Sequence, residues 1–205
     1  MIEDYLEAKK SGDRAYRNAL LTGQYPYLEA LDDKLKDEEI QGENRLGVLE
    51  IPLEDIVGTK TTGRQQAFAK NFMPILGAKT EFAFKWSALY DSVKEEGVRE
   101  PILVYEYMYK FYVQEGNKRV SVSRFNGAVS IPATVIRILP KRTEERENKL
   151  YYEFVDFYKC TGLYRIRFSE LGAYDRLCQV MGKKPGELWE EELCRDLRAA
   201  YSRFA

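Results

Sequence analysis

The chain contains no histidine. Ser-His-Asp and Cys-His catalysis, histidine-ligated metals and zinc fingers all need that residue, so all are excluded. Cysteine is scarce. Cys160, Cys178 and Cys194 are odd in number and widely spaced, and fit neither a disulfide framework nor a C-x-x-C metal or redox site. A reducing, cytoplasmic compartment is therefore expected. No run reaches the roughly 18 apolar residues of a membrane span, and the acidic start Met1-Ile2-Glu3-Asp4 lacks the apolar stretch of a secretion signal.

An excess of one charge is missing as well. The 32 Lys+Arg stand against 33 Asp+Glu, a formal charge of -1, so no global basic field draws in a nucleic acid and any anion site must be local. What is present suits a globular protein: 44% hydrophobic and 32% charged residues. A length of 205 residues allows one domain, or one domain with a smaller helical subdomain, and a core that needs neither disulfides nor metals.

Residues 2–37 place apolar side chains at helical spacing, with breaks at Ser11-Gly12-Asp13 and Gln24-Tyr25-Pro26, which predicts two or three short helices. The polar stretch 37–45 reads as a connector. From Leu46 a mixed core begins: a strand ending at Pro52, a loop Gly58-Thr59-Lys60-Thr61-Thr62-Gly63-Arg64, and a helix over 65–72. Trp86, Leu89, Tyr90 and Val93 mark an amphipathic helix that stops at Gly97. Residues 101–107 and 111–115 read as two strands or as one long one, since the alternation of Tyr105, Tyr107, Tyr109 and Phe111 does not place a turn. A further strand covers 131–138, closed by Pro140. Three helices follow, over 143–160, 169–181 and 186–204, and the end at Ala205 reads as falling inside the last of them.

Two segments carry candidate chemistry. In Gly116-Asn117-Lys118-Arg119 two cations follow a glycine directly after a predicted strand. If a helix starts at Asn117, its unpaired N–H groups and positive end join those cations in a phosphate cradle. The alternation of Val120 and Val122 favours a strand instead, and a solvated basic turn is the plainer reading. The loop from Gly58 to Arg64 is a near miss for a P-loop, because Arg64 and Gln65 stand where Lys and Ser/Thr are required. Its Thr59, Lys60 and Arg64 remain candidates to line a phosphate site jointly with Lys118 and Arg119.

The order of these elements resembles the ParB amino-terminal domain of the ParB/sulfiredoxin fold over residues 48–140. Most of the specificity lies between Gly97 and Pro132, in Pro101-Ile102-Leu103-Val104, Glu115-Gly116-Asn117-Lys118-Arg119 and Ile131-Pro132-Ala133. The resemblance implies an α+β fold with a small mixed β-sheet core, and the residue reading above places that core over 46–140, with an amino-terminal helical extension over 1–45 and a carboxy-terminal helical subdomain over 141–205. It further implies that Gly116, Lys118 and Arg119 hold nucleotide phosphates and, more loosely, that Arg64 joins them; with Asn117 inside the box and Thr59 and Lys60 of the loop read above covering the phosphates, the expected ligand is a nucleotide such as ATP or CTP with Mg²⁺.

The chain departs from that pattern at Asn117. Many ParB boxes carry glutamate there, so a carboxylate that would position a metal or act as a base is missing, and Glu115 is one residue too early. Sulfiredoxin carries its cysteine at this place, so peroxiredoxin repair is excluded. Binding therefore outranks catalysis among the expectations, with a nucleotide-hydrolysing or phosphoryl-transfer enzyme as the reading that needs an unnamed carboxylate. A DNA-associated regulator or partition-type protein of bacterial kind, whose ParB-like domain is a switch, is the other reading. Against it, Glu187, Glu190, Glu191 and Glu192 would face DNA phosphates. A homodimer and the absence of membrane partners complete the expectations. Tyr105 and Tyr112 are the aromatic residues nearest the basic box.

Overall fold

Strands rich in β-branched and aromatic residues build a six-stranded mixed sheet in the computed structural model, which describes residues 2–203 apart from the side chain of Arg64. The chain divides into two units, one running up to Pro140 and the other from Lys141. The first contains α1 (Ile2–Leu21), β1 (Glu29–Ala30), α2 (Leu31–Lys34), β2 (Ile40–Pro52), β3 (Ile56–Thr59), α3 (Glu81–Glu96), β4 (Ile102–Tyr107), β5 (Lys110–Glu115), α4 (Asn117–Phe125) and β6 (Ser130–Pro140), with a 3-10 turn at Thr62–Ala67. The sheet order is β1-β3-β5-β4-β6-β2. Strands β1, β3 and β5 run parallel, β4 is antiparallel to β5 and parallel to β6, and β2 is antiparallel to β6. This is the α+β class that the sequence predicts.

Burial alternates along β6: Ile131, Ala133 and Val135 are fully buried while Pro132, Thr134 and Ile136 are half-buried. Helix α3 turns Ala83, Trp86, Tyr90 and Val93 inward, against Tyr5 and Ala8 of α1 and Val122 of α4. The indole Nε1 of Trp86 donates to Ser121 Oγ at 2.8 Å, which ties α3 to α4 inside that cluster. Arg124 anchors the other end of α4: its guanidinium donates to the carbonyls of Leu53, Ile56 and Asn71 and lies over the Phe72 ring.

Three local expectations are corrected, and one that was left open is decided. Helix α1 runs unbroken through Gly12, because a Cβ there would sit 2.4 Å from the Pro74 carbonyl oxygen: the glycine admits a close crossing of chain and helix rather than ending the helix. Residues 40–45 are strand, not connector, since β6 supplies their backbone partners. The first unit thus takes in residues set apart by the sequence as an extension. Gly58 and Thr59 belong to β3, and the helix expected over 65–72 is only the short 3-10 turn. Finally, 102–115 forms two strands joined by a tight turn, in which Met108 and Tyr109 both adopt positive φ and the Glu106 carboxylate accepts from Tyr109 N–H at 2.8 Å.

The second unit holds α5 (Arg146–Thr161), α6 (Ala173–Val180) and α7 (Glu191–Tyr201), around the ring contacts of Phe154, Phe157, Tyr174 and Trp189. All three expected helices are present. The last starts at Glu191 rather than near Gly186, and in the segment before it Lys183 pairs with the carboxylates of Glu187 and Glu190. Its expected end at Phe204 lies outside the described residues. Among the described residues no helix is long and apolar enough to cross a membrane.

Candidate functional site

Register places Thr59 of β3 beside Val113 of β5, so the carboxyl ends of these parallel strands lie together. Just past them the chain reaches Gly116, whose φ of 110° and ψ of 18° turn it from β5 into α4 without an intervening loop. Only a glycine takes this backbone easily, and a Cβ would also stand 2.5 Å from Cγ2 of the buried Ile102. The helix reading of 117–122 is the one realised. Val120 and Val122 are both fully buried because α4 is packed on more than one side, and this produces the strand-like alternation in the sequence.

The first intrahelical bond of α4 runs from Val120 N–H to Gly116 O at 3.0 Å. The N–H groups of Asn117, Lys118 and Arg119 precede it, and Gly116 has no side chain with which to cap them. The positive end of the helix therefore has no side-chain cap of its own.

Successive helical residues point about 100° apart, so the three side chains of the box part company. Asn117 turns to the sheet, where its Nδ2 donates to Thr59 Oγ1 at 3.5 Å, and Thr59 Oγ1 donates in turn to Val113 O at 2.9 Å. The amide is only 7% exposed, and its buried Oδ1 has no hydrogen-bond partner. Lys118 turns to α3 and places its Nζ 4.9 Å from the centre of the Phe82 ring. There its charge joins that of Lys85, the dominant partner, in holding the Glu81 carboxyl below the usual carboxylate range. Arg119 turns to the segment before β4, where Nη1 donates to Glu100 O at 2.7 Å and to Pro101 O at 2.9 Å. Its Nε lies 3.4 Å from the point that a Cβ on Gly116 would occupy, so the guanidinium stands at the helix start with Nε and Nη2 still to donate.

The remaining candidates do not converge on that point. Thr59 is 1% exposed and its hydroxyl is engaged with the wall of the site. Lys60 forms an ion pair with Asp32 and lies over the Tyr105 ring, 5.1 Å from its centre. The Arg64 side chain lies outside the described residues. Tyr105 and Tyr112 are register partners and so share a sheet face, each with a lysine: Lys60 over Tyr105, and Lys34 Nζ donating to Tyr112 OH at 3.4 Å. Burial, aided by the Glu29 charge, pushes the Tyr112 phenol up to about 12.

Sequence reasoning missed Phe82, Asp32 and the carbonyls of Glu100 and Pro101. All are distant in sequence from the groups they hold, and carbonyl acceptors leave no trace in residue identity.

Uncapped helix N–H groups and a guanidinium are donors of the kind that an anion's oxygens accept from. A divalent cation fits poorly. The side chain best placed to meet it is neutral, and among the described residues no three Asp, Glu or Cys side chains gather to ligate a metal. Thiol chemistry has little support: Cys194 is buried and Cys178 half-buried, and burial raises both thiols above their ordinary range. Two cavities lie elsewhere, one of about 400 Å³ bordered by Phe168, Ala173, Leu177 and Val180, and one of about 290 Å³ at Asp13, Tyr16 and Arg17.

Comparison with protein-family models and with curated proteins gives no match. Among solved structures the chain is similar to sulfiredoxin from Arabidopsis thaliana, with 23% identity, over 43% of this chain and 82% of that one, at a TM-score of 0.30. Sulfiredoxin is of the fold to which the box resemblance points, but at that score the likeness carries no weight for the site or its chemistry.

Proposed function

We propose that the amino terminus of α4 binds the phosphoryl group of a nucleotide or of another phosphorylated small molecule. The observation that carries this reading is the left-handed Gly116, which delivers the chain from β5 directly into α4 and leaves the first N–H groups uncapped beside the Arg119 guanidinium. Such N–H groups and the helix dipole both favour an anion, and Nε and Nη2 of Arg119 offer a fork to its oxygens. Because Arg119 is already held by Glu100 O and Pro101 O, little of its rotamer entropy remains to be lost on binding. Lys118 adds charge from the α3 side. The reading is one of binding: Asn117, which opens α4, carries an amide and not a carboxylate.

A thermal-shift series with ATP, ADP, CTP, GTP and their monophosphates tests it. A ligand at about 100 times its Kd adds about 2.7 kcal/mol, or on the order of 5–10 °C for a chain of this size. The expected result is a selective shift that is lost in the Lys118→Ala/Arg119→Ala double variant while its circular dichroism stays native. A flat series, or an unchanged shift in the double variant, would overturn the reading.

A further inference from the structure

The sheet has two unlike edges. Strand β1 closes one of them with 2 residues, whereas β2 forms the other with 13, Ile40 to Pro52, and among the described residues its only strand partner is β6. An edge of that length presents a row of unpaired N–H and C=O groups, which natural proteins blunt with lysine, proline, bulges or a short strand. Strand β2 has no lysine, and its proline is its last residue. Its two register shifts lie between Ile40 and Gly42 and between Arg45 and Gly47, which leaves Gly42 to Arg45 regular.

Pairing with β6 sets the faces. Ile40, Glu43, Arg45 and Val48 stand opposite Pro140, Ile138, Ile136 and Thr134, which are alternate residues of β6, so all four share one face of the sheet. All four are exposed, and Ile40 and Val48, at 40% and 61%, are the exposed large apolar residues of the strand. Among the described residues no ion pair engages Glu43 or Arg45.

The order of these side chains is symmetric about Asn44, with Glu43 and Arg45 next to it and Ile40 and Val48 equally far on either side. An antiparallel copy of β2 whose Asn44 lies opposite this Asn44 sets Glu43 against Arg45, Arg45 against Glu43, Ile40 against Val48 and Val48 against Ile40. Residues 41 and 42 fill one gap and 46 and 47 the other, so a single register serves all four pairs. A patch that complements itself in this way is what a two-fold axis requires.

We infer that β2 is an interface for a second copy of this chain, which adds its own β2 antiparallel across a two-fold axis at Asn44 and joins the two sheets into one. Main-chain hydrogen bonds supply the attachment. The two pairs of Glu43 with Arg45 fix register and orientation, and the contacts of Ile40 with Val48 cover apolar side chains that a single chain leaves to solvent. The expected homodimer thereby has a place on the fold.

Sedimentation velocity of the full chain over a concentration series tests the inference, with Glu43→Arg, Arg45→Glu and the exchanged variant Glu43→Arg/Arg45→Glu. Wild type is expected to dimerise. Each single variant sets like charges opposite one another at both pairs, and its dimer Kd is expected to rise about tenfold or more. The exchanged variant, whose pairs are again of opposite sign, is expected to dimerise like wild type. An equimolar mixture of the two single variants is expected to form a heterodimer, because the cations of one meet the carboxylates of the other. Should a single charge variant fail to fold, Val48→Lys, which sets a charge against Ile40, is expected to give the same loss. A wild type that stays monomeric at every concentration overturns the inference. So does a dimer that the single variants leave intact, because the contact then lies elsewhere on the chain.

Discussion

Replacing Gly116 with alanine tests the geometry on which the site depends. Two penalties combine at this position. An L-residue in the left-handed region loses about 1–2 kcal/mol. The new methyl group must also fit where Ile102 Cγ2 lies 2.5 Å and Ile102 Cβ 2.9 Å away. Ile102 is fully buried in β4 and in register with Ala133, so it cannot withdraw. Overpacking of that kind costs about 1–3 kcal/mol, which brings the expected loss to about 2–5 kcal/mol, a large part of the 5–15 kcal/mol that is typical of a domain. Gly47→Ala is the control, because Gly47 also has a positive φ, of 80°, but no atom lies within 4 Å of the point on β2 that its new methyl group would occupy. The chain has two tryptophans, Trp86 in the first unit and Trp189 in the second, so a Trp189→Phe background lets urea unfolding of the first unit be followed by the fluorescence of Trp86. Gly116→Ala is expected to exceed Gly47→Ala by the packing contribution. Equal losses at the two positions would refute the contact with Ile102, and with it the placement of the α4 start against β4.

Gly12→Ala offers a test of sign. Helix propensity alone favours alanine by about 1 kcal/mol, whereas a methyl group 2.4 Å from Pro74 O and 3.0 Å from Met73 O meets backbone that has little room to yield. A lower Tm is expected, and a raised one would sink the account of the α1 crossing. Alkaline titration probes the cores: burial pushes the phenols of Tyr5, Tyr112 and Tyr174 up to about 12, helped respectively by the charges of Asp13, Glu29 and Glu153. A raised phenol favours the neutral form in the folded state, so its contribution is complete below about pH 10 and is lost as the pH climbs toward 12. Phenolate absorbance should therefore show tyrosines that ionise late and together with unfolding, and a single transition near pH 10 with the fold intact would contradict the burial.

The parts of the fold that the sequence made legible are those whose cause is local. The helix ending at Gly97 is readable because its apolar spacing and its glycine stop lie in one short window, and β6 is readable because its alternation and closing proline do. Residues 40–45 were not, because an edge strand largely exposed to solvent has polar side chains like a connector and owes its form to β6, far along the chain. The turn at Met108 and Tyr109 was illegible for a related reason. Neither residue is a turn former, and what stabilises the turn includes the Glu106 carboxylate on Tyr109 N–H, a side-chain contact that propensity does not register.

The same division runs through the candidate site. The glycine after a strand allowed a helix to start at Asn117 while the alternation of Val120 and Val122 favoured a strand, and the structure starts α4 there. The direction of each side chain was not readable, because it depends on which elements surround the helix. Lys118 and Arg119, adjacent in sequence and taken together as one basic box, belong to different walls: Lys118 stands on the α3 side over Phe82, and Arg119 on the segment before β4. Asn117, a candidate of the box that the resemblance set apart by the glutamate it lacks, is the member drawn furthest inside. Two neighbouring cations therefore do not act as a fork here. Arg119 is held at the helix start by two backbone carbonyls, Lys118 stands on the α3 side, and Asn117 places a neutral amide between the helix and Thr59.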